Sequence, residues 1–335
     1  MVTIAVVNHK GGVGKTTITF NLARWLSFRG KKVLAIDNDP QANLTSSFID
    51  CRSKLQSSLL EVYRGQPALP QEISENLFLI GSSVTLATVS ERGFEVVSRL
   101  RDRLSDLQND RDSIVFEYLL IDCLPSIGYL HLAALAAAEY VLIPITPSPY
   151  ALMGLHDLFL TIRKTQNWLN SNLKILGIVL NLVDGRRLRL ERKIESVLRE
   201  NYGSLVFGSK LSKRVRFAES PSFNKSIVEY DPNAASAREF GRFAMEVINR
   251  IGEVGEFPDL LVRNGGDHTD VAKSPAMLPG NGKLVVRRGY ASVQDSGAKG
   301  VEADSGRRRL KDLENMDLIF VRSLYRNCSA PNGMS

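Results

Sequence analysis

Cysteine is scarce in this chain: Cys51, Cys123 and Cys328 are the only three among 335 residues, widely spaced and outside any C-x-x-C pattern. An odd, scattered set excludes a disulfide framework and gives no zinc spacing, so all three are read as reduced thiols. Long apolar runs are also missing. The stretches Tyr118 to Ile121 and Ala133 to Ala138 fall well short of the ~20 residues that a membrane-spanning helix needs. The first residues show no basic start, apolar middle and small-residue cleavage site, so no secretory signal is read there and a cytoplasmic location is expected. Disorder as the dominant state is excluded as well, because 44% of the residues are hydrophobic. A chain of this length and composition can bury the core of one large α/β domain with an appendage.

The formal net charge is +7, and its location matters more than its size. Between Arg186 and Arg216 stand ten Lys/Arg against three Glu, an excess equal to that of the whole chain. The basicity is therefore a patch, which suits a polyanion or a solvated face. Along the chain, apolar runs of strand type at Val2 to Val7, Lys32 to Asp37, Leu77 to Ile80, Glu117 to Asp122, Tyr140 to Ile145 and Leu173 to Val183 are separated by helical periods. Those helices are expected over Thr16 to Arg29, Phe94 to Leu107, from Leu130, from Leu152, and over Ala234 to Ile251. The alternation predicts a mainly parallel sheet with helices on both faces. The chain is divided into a domain over 1–254 and a basic, largely disordered tail over 255–335 with one candidate helix near 309–325, because Gly, Pro, Ser and Asp break every long apolar period after about Gly255.

Three strand ends carry chemistry. Asn8-His9-Lys10-Gly11-Gly12-Val13-Gly14-Lys15-Thr16-Thr17 lies between a predicted strand and a predicted helix, the setting in which glycines let backbone N–H groups converge on phosphate oxygens. In such a phosphate loop Lys15 reaches the β- and γ-phosphates and Thr16 offers its hydroxyl to Mg²⁺. The second strand ends in Asp37-Asn38-Asp39-Pro40-Gln41-Ala42-Asn43, where two carboxylates flank one residue beside the phosphate loop. The strand Tyr118 to Ile121 ends in Asp122, the form of an acid that holds a Mg²⁺-bound water.

The usual first glycine of a Walker A motif is replaced by His9, and Lys10 follows it. With this departure Lys10 to Thr17 resembles the deviant Walker A box of the superfamily containing the ParA partition proteins, the division-site protein MinD, nitrogenase reductase and arsenical pump ATPases. The segment from Asp37 is similar to a ParA signature, commonly Asp-Leu-Asp-Pro-Gln-Gly-Asn, from which Asn38 and Ala42 depart. Leu124-Pro125 stands where two prolines are common, and the stretch from Leu211 to Pro232, ending Glu229-Tyr230-Asp231-Pro232, looks like the ParA stretch with that ending, with Ser212 in place of a common proline. The matches run over residues 1 to about 251.

The resemblance implies a P-loop ATPase that uses ATP and Mg²⁺ as a dimerisation switch. It implies that Lys10 reaches the partner's nucleotide in an ATP-dependent homodimer, that Asp39 positions the hydrolytic water, that Asp37 and Asp122 support the metal's water shell, and that Asn181 contacts adenine. Arg186 and Arg216 match positions that bind DNA in short ParA proteins, and Lys213 and Arg214 join them in the basic patch. The expected role is plasmid or chromosome partition on nonspecific DNA, nucleoid-associated, with a ParB-like centromere-binding partner. A MinD-like membrane-associated positioning ATPase and a P-loop metabolic enzyme stand as the alternatives.

Overall fold

A computed structural model describes residues 1–49, 55–56, 58–109, 114–148 and 151–253. The 254/255 boundary, the tail and its candidate helix, together with Cys51 and Cys328, lie outside the described residues.

Eight strands form one sheet: β1 (Val2–Val6), β2 (Val33–Asn38), β3 (Gln71–Ser74), β4 (Leu77–Ile80), β5 (Tyr118–Cys123), β6 (Tyr140–Ile145), β7 (Lys174–Val183) and β8 (Val206–Ser212), in the spatial order β3-β4-β2-β5-β1-β6-β7-β8. All pairings are parallel except that of β3 with β4. The five middle strands have almost no polar residue before their last positions, because both their faces are covered. The helices are α1 (Lys15–Ser27), α2 (Asn43–Phe48), α3 (Leu59–Tyr63), α4 (Val96–Asn109), α5 (Tyr129–Ala137), α6 (Ala151–Trp168), α7 (Leu188–Tyr202), α8 (Val215–Glu219), α9 (Ile227–Tyr230) and α10 (Ala235–Glu253).

The six expected strands and five expected helices are all present, with ends that differ by at most two residues and with β4 and β6 as expected at both ends. Seven elements were not foreseen: β3, β8 and the helices α2, α3, α7, α8 and α9. β3 is a short, half-exposed edge strand. α7 and β8 occupy the basic region, where Lys and Arg mask a weaker apolar pattern: in β8 only Val206, Phe207 and Leu211 are buried.

In α1 the stripe Ile18, Leu22, Trp25 and Leu26 is buried as its spacing requires, but Phe20, Asn21 and Ala23 on other sides are buried too. The cause is α10, whose Phe240, Phe243 and Val247 share one core with α1 and with the β1, β2, β5 and β6 side chains Ile4, Val33, Leu120 and Leu142. Asn21 is satisfied there, accepting from the Ile227 N–H at 2.6 Å.

Candidate nucleotide site

At the carboxyl edge of β1 the chain turns through Gly11, Gly12 and Gly14 into the first turn of α1. Gly12 and Gly14 have φ of 71° and 89°, left-handed values that favour glycine. A Cβ on Gly11 or Gly12 would meet nothing within 4 Å, so this backbone faces open space rather than protein. The space is a cavity of about 680 Å³ lined by the loop glycines, Lys15, Thr16, Thr17, Asp39, Gln41, Pro125, Leu182 and Pro221, among others. Oriented N–H groups and a helix N-terminus around such a volume suit a polyphosphate.

Lys15 is buried, and its Nζ donates to the Lys10 carbonyl at 3.2 Å. Burial pushes its pKa down, while Asp122 opposes that shift. Val13 is buried beneath the loop. Thr16 Oγ1 donates to Asp122 Oδ2 at 2.6 Å. Asp37 accepts from the Thr45 N–H at 2.8 Å and hydroxyl at 2.7 Å, and from the Asp39 N–H at 3.2 Å. β2 and β5 are in register at Asp37 and Asp122, so two buried carboxylates lie side by side. Burial raises Asp37 to about 6, and burial first, then Asp37, raises Asp122 well above the carboxylate range. Two acids beside a threonine hydroxyl form a hard oxygen set that fits Mg²⁺, and crowding of this kind is relieved when a divalent cation and its waters arrive.

Asp39 is buried at the cavity wall, with Oδ1 held by the Gln41 N–H at 2.9 Å. Lys10 is exposed, as Gly11 and Gly12 are, but unlike them it is absent from the cavity lining, and its Nζ lies 3.4 Å from Ser148 Oγ. Asn181 is buried and its Nδ2 donates to the Val13 carbonyl at 2.8 Å, so the amide braces the phosphate loop from the end of β7. Among the residues that sequence reasoning missed are Leu182 and Pro221, which supply apolar wall to the same cavity, and Ser46, Ser47 and Ser222, which also line it. Leu182 holds a left-handed φ of 56°, a conformation that no residue-type signal betrays at a leucine.

Two of the departures from the family pattern stand out in the structure. Ala42 sits at φ 53°, where the common glycine would be unstrained. His9 packs against His131 of α5 with ring centroids 5.1 Å apart and planes tilted by 58°, and burial lowers their pKa values to about 4 and about 3, so both are neutral at ordinary pH.

The basic residues divide into two sets. Arg199, bonded to the Phe207 carbonyl and Glu195, and Lys210, paired with Glu195, hold α7 against β8. Arg186, Lys213, Arg214 and Arg216 are exposed and follow the carboxyl ends of β7 and β8, the sheet edge that carries the phosphate loop. Three of them have acidic partners: Arg186 with Asp184, Arg214 with Glu239, and Arg216 with Asp231. Asp184 takes the Arg186 guanidinium through two 2.9 Å bonds, which hold its pKa down at about 2.

A protein-family model described as an AAA domain matches residues 1–175. The chain is 37% identical over 254 residues to the chromosome-partitioning ATPase Soj of Thermus thermophilus, covering 75% of this chain and 96% of the relative. It belongs to the Soj/ParA family of chromosome-partitioning ATPases. A second relative in this family is the chromosome partitioning protein ParA of Caulobacter vibrioides, 34% identical over 258 residues that cover 74% of this chain and 94% of that protein. Among solved structures the fold is similar to cobyrinic acid a,c-diamide synthase from Mycobacterium smegmatis with bound ATP analog and magnesium, with a TM-score of 0.63 and 27% identity, covering 77% of this chain and 98% of the other. The Soj/ParA fold is thus shared with a biosynthetic enzyme, and the fold alone does not separate the two activities. No helix among the described residues is long and apolar enough to cross a membrane.

Proposed function

We propose that this chain binds Mg–ATP in the 680 Å³ cavity, dimerises in that state, binds duplex DNA without sequence preference, and is returned to the monomer by hydrolysis stimulated by a ParB-like partner. In this reading Lys15 and the loop N–H groups hold the phosphates, Thr16 and Asp122 carry Mg²⁺ and its water shell with Asp37 in support, and Asp39 orients the attacking water. Leu182 and Pro221 offer the base an apolar wall, and Asn181 acts through the loop as well as at the base.

The observation that carries the reading is Lys10. A cation in the phosphate loop that stays out of its own cavity, exposed at the lip, can reach a second nucleotide across a two-fold axis, as a lysine in trans would to stabilise developing phosphoryl charge. Arg186, Lys213, Arg214 and Arg216 lie on the same sheet edge, so pairing two protomers through their nucleotides would gather two basic patches into one particle and multiply phosphate contacts. Such a protein would sit in the cytoplasm on the nucleoid.

The test is a gel shift on random-sequence duplex with ADP and with a non-hydrolysable ATP analogue, beside light scattering and sedimentation with anionic liposomes. ATP-dependent dimers that shift DNA and ignore liposomes are expected. Dimers that sediment with liposomes and leave DNA free would replace this reading with the MinD-like one, and a monomer inert to both would favour a metabolic enzyme.

A further inference from the structure

Asn38 is the last residue of β2 and stands between Asp37 and Asp39, where the ParA signature that the segment resembles commonly has leucine. Neighbouring residues of a strand face opposite ways, so Asn38 points away from the Asp37 and Asp39 carboxylates and into the layer formed by α3 and α5. It is fully buried, with 0% exposure. Its Nδ2 donates to the Leu130 carbonyl, in the first turn of α5, at 2.8 Å. The Tyr63 hydroxyl, also buried at the end of α3, donates to Asn38 Oδ1 at 2.8 Å. The amide can sit only this way round, because a backbone carbonyl accepts and never donates, so the amide nitrogen must face Leu130 and its oxygen must face Tyr63. The amide and its hydroxyl partner exchanged together for apolar groups of similar shape would cost a fold little, which leaves the retained polar pair to be explained.

What the chain connects is informative. α5 is joined to Asp122 by Cys123 to Gly128, a segment whose Pro125 lines the nucleotide cavity, as Asp39 does. The Asn38 amide therefore ties the strand end that precedes Asp39 to the helix whose preceding loop carries Pro125 and follows Asp122.

We propose that Asn38 is a positioning residue for hydrolysis: through Leu130 it makes the Asp37–Asp39 strand end move together with the α5 loop when nucleotide is bound, with Tyr63 fixing its orientation. The proposal rests on the assignment of Asp39 to the hydrolytic water.

The experiment compares Asn38→Leu, Tyr63→Phe and the double variant in the full chain, measuring ATP affinity by fluorescent-nucleotide titration, single-turnover hydrolysis at saturating ATP, and thermal midpoint. All rates are taken well below the lowest midpoint. Asn38→Leu is expected to slow hydrolysis roughly 3- to 10-fold, the scale of one buried hydrogen bond, with ATP affinity kept within about twofold. Asn38→Leu also strands the Tyr63 hydroxyl, so its midpoint should fall. The double variant removes that hydroxyl and should regain stability without regaining rate. Recovery of rate together with stability, or an undiminished rate in Asn38→Leu, overturns the proposal. Should Asn38→Leu not fold, Tyr63→Phe decides: its rate must fall about twofold or more with affinity kept, and an unchanged rate overturns the proposal. Asp39→Ala serves as the reference. If it hydrolyses like wild type the acid assignment itself fails, whereas an inactive Asp39→Ala beside a fully active Asn38→Leu refutes only the role of Asn38.

Discussion

Replacing Arg186 and Arg216 together by alanine tests the DNA surface where the structure makes a quantitative statement. Both side chains are exposed, and their acidic partners are Asp184 and Asp231. Exposed pairs contribute little to folding, so the thermal midpoint should hardly move. Binding should move a great deal. Each lost phosphate contact lowers the slope of log K against log salt by ~0.9, so two per protomer, or four per dimer, lower it by about 3.6. Over the fourfold step from about 50 to about 200 mM salt, the variant should lose roughly 100-fold less affinity than wild type, having begun from a much weaker complex. Asp184 adds a control of opposite sign. Its carboxylate stays ionised, with a pKa held at about 2, and takes the Arg186 guanidinium in a forked bond, so Asp184→Asn should release Arg186 and tighten DNA binding. The assay is fluorescence anisotropy of a labelled random duplex titrated with salt in the ATP-analogue and ADP states. A double variant whose salt slope matches wild type in the ATP-analogue state would refute the assignment of these arginines to DNA phosphates.

Lys15→Ala should abolish Mg–ATP binding in calorimetry, since Lys15 is the cation buried at the cavity wall. Lys10→Ala should bind nucleotide yet remain monomeric in light scattering, while Asp39→Ala should dimerise on ATP and fail to release phosphate; a Lys10→Ala dimer as stable as wild type would remove the argument for a lysine in trans. Asp37, raised to about 6 by burial, is increasingly protonated as pH falls below that value, so Mg²⁺ affinity should decline between pH 7 and pH 5 in a magnesium titration, with Asp122, raised by burial and by Asp37, contributing to the same decline. Ala42→Gly should raise unfolding stability by ~0.5–1 kcal/mol in denaturant titration, because it relieves a left-handed alanine at φ 53°.

Much of this architecture was legible in the residues alone. The central strands are apolar on both faces and end in acids or enter glycines, so parallel pairing and a site at their carboxyl ends followed from pattern. Lys15, Thr16, Asp37, Asp39 and Asp122 could be named because phosphate and Mg²⁺ chemistry demands those residue types at strand ends, and Lys10 because its stretch resembles the deviant Walker A box. β3 escaped notice because a four-residue, half-exposed edge strand carries almost no periodic signal, and α7 and β8 because Lys and Arg dilute their apolar pattern.

Packing decided the rest. Whether a cation in a basic run meets solvent or braces a helix depends on what folds against it, which is why Arg199 and Lys210 hold α7 to β8 while Arg186 and Lys213 face outward. That Asn181 bonds the Val13 carbonyl 168 positions away, that Leu182 and Pro221 meet in one cavity wall, and that Asn38 bridges Tyr63 to Leu130 are contacts between distant segments. A sequence determines such contacts only through the fold, because hydrogen bonding and burial act on distance in space, while periodicity and motif act on distance along the chain.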